Sequence, residues 1–139
     1  MISRAARAMT ERDLQDRVRK MCGQLGLAVQ HIEDSRRCWL PGWPDLSIFG
    51  TSAIFAELKR QDEDLTPQQR KVGRVIASAG LRWVCWKPAD LLDGTIAFEL
   101  TAISGRKIAA FMADPCPGAP HCHHEAGKCS GEMTALYAD

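Results

Sequence analysis

The stretch GWPDLSIFGTSAIFAELKR, residues 42–60, decides the fold. Its two apolar runs, DLSIFG and AIFAELKR, are joined by a glycine, a threonine and a serine, which predicts a hairpin of two neighbouring strands. Strands usually place charged residues on a solvated face, whereas Asp45, Glu57 and Lys59 stand at the ends of apolar runs. The stretch therefore raises the alternative that these three residues form an active site.

The rest of the chain predicts an α/β domain. The predicted elements are, in order, a helix over 11–25, a strand over 27–32, the two hairpin strands, a helix between Thr66 and Gly80, and a strand over 81–86. Both helices begin with the pattern of a capping box and carry apolar residues on one face. A turn and a short covering helix are expected between residues 89 and 105. The order αβββαβ predicts a central mixed sheet of about four strands flanked by helices.

Length and composition indicate one globular domain with an appendage. The chain has 139 residues, of which 45% are hydrophobic and 25% charged, and this is long enough to bury a core. Its apolar runs fall short of the roughly 20 residues that cross a bilayer, and no apolar segment follows the basic N-terminal residues. We therefore expect a cytoplasmic protein without membrane association. Proline, glycine and histidine dominate from Asp114 onward, which predicts a compact domain over 1–113 and a tail over 114–139.

Charge is distributed unevenly along the chain. Residues 1–89 hold 15 Lys or Arg against 10 Asp or Glu, whereas residues 90–139 hold 3 against 7. The first part is therefore suited to face a polyanion such as DNA. Within it, residues 65–89 carry five basic side chains and no acidic one, and Arg70 and Lys71 belong to this block. Such a block is more often a solvated face than a nucleic-acid site, so both interpretations stay open.

The acidic pair and the lysine have the spacing of a metal-dependent hydrolytic site. Glu57 and Lys59 point to the same face of a strand because strand side chains alternate. Eleven residues lie between Asp45 and Glu57, which suits one hairpin turn that brings the two together. Converging carboxylates repel each other unless a cation lies between them, and hard oxygen ligands favour Mg²⁺ or Mn²⁺. The alternative is a Pro-Asp turn at Asp45 and a solvated Glu57–Lys59 ion pair.

The ordered set DSRR, GWPDLSIFG, IFAELKR, LTPQQRKV, ASAG and WVCWKPADL resembles the stand-alone VRR-NUC nucleases. These form a branch of the PD-(D/E)XK superfamily that is often found in bacteriophages. The resemblance covers about residues 10–100. It implies a restriction-endonuclease-like core and a metal-dependent DNA endonuclease of DNA repair or recombination that hydrolyses branched, junction or flap DNA. It also implies the host cytoplasm as the location if the protein is phage-encoded.

The VRR-NUC pattern can be carried over residue by residue. The Pro-Asp of the family matches Pro44 and Asp45, and its Glu-x-Lys matches Glu57, Leu58 and Lys59. The resemblance therefore implies that Asp45 and Glu57 bind Mg²⁺ or Mn²⁺. The Leu58 carbonyl is expected as a further ligand, and Lys59 as a catalytic residue.

Two further positions match the family but have a second interpretation. A glutamate on the first helix of the family matches Glu11, which at the start of a helix also interacts favourably with the helix dipole. A glutamine one turn into the next helix matches Gln69, which is also placed to complete a capping box with Thr66. These two roles of Gln69 compete for one side chain, and Gln68 is a substitute for the catalytic one.

Basic residues supply the expected DNA contacts. Arg36 and Arg37, on the loop before the site, match basic residues of the family and are expected to bind phosphates, and Arg70 and Lys71 are further candidates. Exposed arginines without a role are the alternative. A small domain with one site often cuts two strands as a pair, so a homodimer is expected. The rival functions are a non-catalytic nucleic-acid-binding module on the same fold and a zinc-organised adaptor that recruits a protein.

The tail contains a second group of candidate metal ligands. Cys116, Cys122, His124 and Cys129 lie in PCPGAPHCHHEAGKCS, with two further histidines. They supply enough soft ligands for one tetrahedral Zn²⁺, although the tight C-x2-C pairs of ordinary zinc sites are missing. The alternatives are a flexible end with incidental cysteines and a tail that docks on the domain without metal.

Overall fold

The structure is a computed structural model that describes residues 1–105. Its elements are α1 Arg4–Ala8, α2 Glu11–Gln24, β1 Ala28–His31, a 3-10 turn Ser35–Arg37, β2 Leu46–Phe49, β3 Ala53–Leu58, α3 Pro67–Ser78, β4 Arg82–Trp86, α4 Pro88–Leu92 and α5 Thr95–Ile103. The predicted order αβββαβ is confirmed from α2 to β4. The predicted domain boundary at residue 113 and the candidate zinc ligands lie outside the described residues.

The four strands form one mixed sheet in the order β1-β2-β3-β4. β2 pairs antiparallel with both β1 and β3, whereas β3 pairs parallel with β4. The predicted hairpin is thus present, and residues 50–52 form its turn. A mixed sheet of four strands flanked by helices is compatible with a restriction-endonuclease-like core.

Alternation along β3 divides the core between the two faces of the sheet. Ile54 and its even-numbered neighbours pack in the larger apolar cluster, which includes residues of α2 and α5. Phe55 packs on the other face with Val72 and Ile76 of α3. Because side chains of a strand alternate between faces, Glu57 points to the same side as Phe55. The acidic residue therefore lies under α3.

Local sequence signals fix where the two long helices begin. Thr10 caps α2, and its hydroxyl accepts from the Asp13 amide at 3.1 Å while the Asp13 carboxylate accepts from the Thr10 amide at 3.1 Å. Thr66 caps α3 in the same reciprocal way with Gln69. Gly80 follows α3 with φ of 80°, a conformation that glycine adopts without a Cβ penalty. Both predicted capping boxes are confirmed.

The structure differs from the prediction at both ends of the described chain. Helix α1 was not predicted; Ser3 caps it, and Ala6 is its buried residue. The turn predicted before the covering helix is itself a short helix, α4, which begins at Pro88. Gly94, with φ of 88°, separates α4 from α5. Among the described helices, each is too short or too polar to cross a bilayer.

Candidate active site

The hairpin register brings Asp45 and Glu57 together. Leu46 pairs with Ala56 in the antiparallel ladder, and continuing this register by one residue places Asp45 opposite Glu57. Directly opposed residues have Cβ atoms about 5 Å apart and side chains on the same face. The Asp45 Oδ2 atom also accepts a hydrogen bond from the Leu58 amide at 2.7 Å. This bond holds the Asp45 carboxylate at the end of β3, beside Glu57.

Glu57 is a buried carboxylate with two polar partners. Only 2% of its surface is exposed. The Gln69 Nε2 atom donates to its Oε1 at 2.6 Å, and the Lys59 Nζ atom lies 3.7 Å from the same oxygen. Lys59 is itself mostly buried. The structure therefore brings together Asp45, Glu57, Lys59 and Gln69, which three separate sequence motifs contribute.

Burial and mutual repulsion disturb the titration of the acidic pair. Burial, followed by the charge of Asp45, raises the pKa of Glu57 to about 8. Burial also raises the pKa of Asp45, although the hydrogen bond from Leu58 opposes the shift. At neutral pH the pair therefore carries less than its full negative charge unless a cation compensates it.

Glu11 lies within electrostatic reach of the pair. It is the first residue of α2 and is partly buried. Burial is the largest cause of its raised pKa. The charges of Asp45 and Glu63 raise this pKa further, while the charge of Lys59 lowers it. A favourable helix dipole alone would lower the pKa of a carboxylate. Because Asp45 and Lys59 are among the groups that shift its pKa, Glu11 belongs to the electrostatic environment of the site, and its place in the first turn of α2 leaves the dipole interaction as a second role.

The two roles expected to compete for Gln69 are compatible. Its Oε1 atom accepts from the Thr66 amide at 2.9 Å, and its Nε2 atom donates to Glu57. An amide side chain has an acceptor and a donor at opposite ends, so one residue both caps α3 and holds Glu57. Gln68 is engaged elsewhere, because its Nε2 atom donates to the Pro41 carbonyl at 3.0 Å.

The predicted DNA-binding residues lie on two different elements. Arg36 and Arg37 are exposed in the 3-10 turn, and both pair with Asp34, at 2.9 and 3.7 Å. Exposed ion pairs of this kind contribute little to stability, but Asp34 competes with phosphate for these arginines. Arg70 and Lys71 are exposed on α3, directly after Gln69. This second pair is closer in sequence to the residues that surround Glu57.

The donor set fits a small hard cation. Within residues 1–105, no three His, Cys, Asp or Glu side chains converge closely enough to hold an ion together. Mg²⁺ usually binds through one or two carboxylates and keeps several waters, so Asp45 and Glu57 are sufficient protein carboxylates. The predicted carbonyl ligand, Leu58, follows Glu57 directly and ends β3. The site therefore fits Mg²⁺ or Mn²⁺ in number and type of donor.

Sequence reasoning missed three residues around the site. His31 ends β1, and its charge opposes the raised pKa of Asp45. Glu63 contributes to the raised pKa of Glu11, and Cys85 pairs with Glu57 in the β3–β4 register. Glu63 was detectable, because it lies in the acidic QDED turn just after Lys59. Cys85 was not, because the register between parallel strands depends on a crossover helix rather than on a short turn.

Comparison with known proteins does not assign the chain to a family. No protein-family model, curated protein or solved structure matches it. The resemblance to VRR-NUC nucleases therefore stays an interpretation of the motifs.

Proposed function

We propose that the protein is a metal-dependent DNA endonuclease of the PD-(D/E)XK type that hydrolyses phosphodiester bonds. The observation that carries this proposal is the side-by-side placement of Asp45 and Glu57, with Lys59 against Glu57. Strongly perturbed titratable groups with a specific charge partner are concentrated at functional sites. The ordered motifs that resemble VRR-NUC nucleases support the same reaction class.

Each residue of the site has a defined part in this proposal. Asp45 and Glu57 hold Mg²⁺ or Mn²⁺, which when bound supplies Lewis acidity and lowers the pKa of a water. Lys59 orients the attacking water and stabilises negative charge that develops on the phosphate. Gln69 fixes the rotamer of Glu57 through its hydrogen bond. Glu11 adds negative charge at the rim and binds through water.

The exposed basic residues next to the site suit a DNA backbone. Arg70 and Lys71 follow Gln69 on the first turns of α3 and are exposed, so they can bind phosphates on the solvent side of the helix that covers Glu57. Arg36 and Arg37 bind phosphate once they exchange their contacts with Asp34. Contacts of this type position DNA without reading its sequence, which agrees with selection by DNA structure.

The test is a cleavage assay with purified full-length protein. Branched, flap, nicked, single-stranded and linear DNAs are incubated with Mg²⁺ or with EDTA. We expect Mg²⁺-dependent cleavage that Glu57→Gln abolishes while DNA binding persists, because the basic residues remain. Asp16→Asn, which removes an exposed carboxylate of α2, serves as the control for the change in net charge.

Three outcomes of this assay would count against the proposal. Cleavage by Glu57→Gln at the wild-type rate would place the chemistry elsewhere. DNA binding without cleavage under any condition would favour the non-catalytic binding module. Absence of both cleavage and DNA binding, with zinc found by metal analysis of the same purified protein, would favour the adaptor.

A further inference from the structure

A tryptophan projects fully into solvent from the loop before the site. Trp39 has 100% of its surface exposed, and the adjacent Leu40 is also exposed. Tryptophan is highly buried on average in folded proteins. The other three tryptophans of the chain follow this rule, since Trp43 and Trp83 are partly buried and Trp86 is buried. The exposure of Trp39 therefore leaves a large aromatic surface without a partner in the described residues.

Hydrogen bonds hold this loop at both ends. Before Trp39, the Asp34 carboxylate accepts from the Arg36 amide at 3.1 Å, and the Cys38 amide donates to the Ser35 carbonyl at 3.1 Å. After it, the Pro41 carbonyl accepts a hydrogen bond from the Gln68 Nε2 atom at 3.0 Å. A loop that is already positioned loses less conformational entropy when its tip contacts a ligand.

The same turn of α3 holds both the loop and the acidic site. Gln68 donates to Pro41, and its neighbour Gln69 donates to Glu57. Gly42, with φ of 88°, packs directly against Gln68, and a Cβ at this position would lie 2.9 Å from its backbone oxygen. Trp39 is two residues from Pro41, a span of at most about 7 Å. The loop that carries Trp39 and the carboxylate of Glu57 are therefore both attached to the first turn of α3.

The loop that carries Trp39 has balanced charge. Arg36 and Arg37 are paired with Asp34, and Glu33 adds a second acid to the loop. The segment 33–40 thus has two acidic and two basic residues. Stacking of an indole on a base needs no net charge, so Trp39 can contact a base whether or not Arg36 and Arg37 exchange Asp34 for phosphate.

We propose that Trp39 stacks on an unpaired base of bound DNA and so selects DNA that has unpaired bases beside the cut strand. This inference rests on the proposed function, because it takes DNA as the ligand. A base inside a continuous duplex is stacked on both faces, whereas a base at a fork, flap or gap exposes one face to an aromatic side chain. Trp39 is therefore a specificity-determining residue that acts outside the chemistry of the acidic pair.

The test measures binding in the non-cleaving Glu57→Gln background. Two DNAs of equal length carry 2-aminopurine, unpaired at a fork in one and paired within a duplex in the other. We expect Trp39→Ala to weaken binding of the forked DNA at least about fivefold, the lower end for loss of a stacking aromatic. Binding of the duplex should not change. Trp39→Phe should retain most of the affinity and of the 2-aminopurine quenching.

A matched control separates stacking from general apolar loss. Phe98 of α5 is 77% exposed and lies near Ser52, at the opposite end of β3 from Glu57. Phe98→Ala should leave binding of both DNAs unchanged. Trp39 is fully exposed, so the thermal midpoint of Trp39→Ala should equal that of its parent, which shows that the variant folds.

The outcomes distinguish this inference from the proposed nuclease function. If wild type cleaves DNA in a Glu57-dependent way but Trp39→Ala binds the fork as tightly as its parent, stacking by Trp39 is contradicted alone. If no DNA is cleaved but forked DNA still binds through Trp39, the nuclease proposal fails and the stacking surface stands. If Trp39→Ala lowers the affinity for forked and duplex DNA equally, selection by unpaired bases is contradicted. It is also contradicted if the parent Glu57→Gln protein binds neither DNA.

Discussion

The buried carboxyl group of Glu57 should make the protein less stable as pH rises, and Glu57→Gln should remove this effect. In the folded protein the pKa of Glu57 is raised to about 8 from a reference of 4.5. Between these two values the folded chain keeps a proton that the unfolded chain has released. The free energy of unfolding therefore falls as pH rises through this interval. The stability cost is absent at pH 4.5 and largest near pH 8.

The size of the effect follows from the width of this interval. One pH unit corresponds to about 1.4 kcal/mol for each proton that the folded state retains. From pH 4.5 to 7.5 the upper limit is therefore about 4 kcal/mol. Asp45 is partly exposed, and water that reaches the pair reduces the penalty. We expect Glu57→Gln to be more stable than wild type by about 2 kcal/mol at pH 7.5.

Urea unfolding in the presence of EDTA measures this difference. At pH 4.5 glutamine resembles protonated glutamate and still accepts the bond from Gln69, so the two proteins should unfold together. The curves should then separate steadily up to pH 8, with the variant more stable. Asp16→Asn should show no such separation. A difference that does not vary with pH, or a variant less stable than wild type at pH 7.5, would refute the reasoning.

Magnesium should reverse the order of the two proteins. A ligand that binds only the folded state stabilises it by an amount that grows with its concentration relative to Kd. At pH 7.5, Mg²⁺ should raise the unfolding midpoint of wild type, because a cation bound by Asp45 and Glu57 would compensate the repulsion between their charges. Glu57→Gln has lost one ligand charge and should respond less. An equal response of both proteins would exclude Glu57 as a ligand, whatever the result of the cleavage assay.

Three further substitutions test the site and the helix that supports it. Lys59→Arg keeps the charge but replaces an ammonium by a planar guanidinium, so the single-turnover cleavage rate at saturating Mg²⁺ should fall at least about a hundredfold. A rate within a few-fold of wild type would leave Lys59 only an electrostatic role. Gln69→Glu keeps the acceptor that caps α3 but places another carboxylate against Glu57, so the thermal midpoint should fall at pH 7.5 and not at pH 4.5. A fall of equal size at both pH values would contradict the contact between Gln69 and Glu57. Gly73→Ala directs a Cβ into the Trp83 ring, so the free energy of unfolding should drop by about 1–3 kcal/mol, and an unchanged urea midpoint would count against this packing.

The fold was predictable where local signals and packing agree. The hairpin over residues 45–58 combines alternating apolar residues with a short turn, and the two long helices begin at capping boxes that the sequence displays. Helix α1 has five residues, too few for a hydrophobic period, and a helix this short is stable only through tertiary contacts such as the burial of Ala6. Helix α4 is equally short, so its proline and aspartate read as a turn.

The site was predictable to the extent that it depends on the hairpin. A turn of three residues fixes the register, and the register alone places Asp45 opposite Glu57. The position of Gln69 depends on how α3 lies over the sheet, which no local signal specifies. The sequence could therefore show that Gln69 had two candidate roles but not that both ends of one amide are used at once. The cap of α3 and the acidic site are consequently one structure, and any change that alters the first turn of α3 also alters the environment of Glu57.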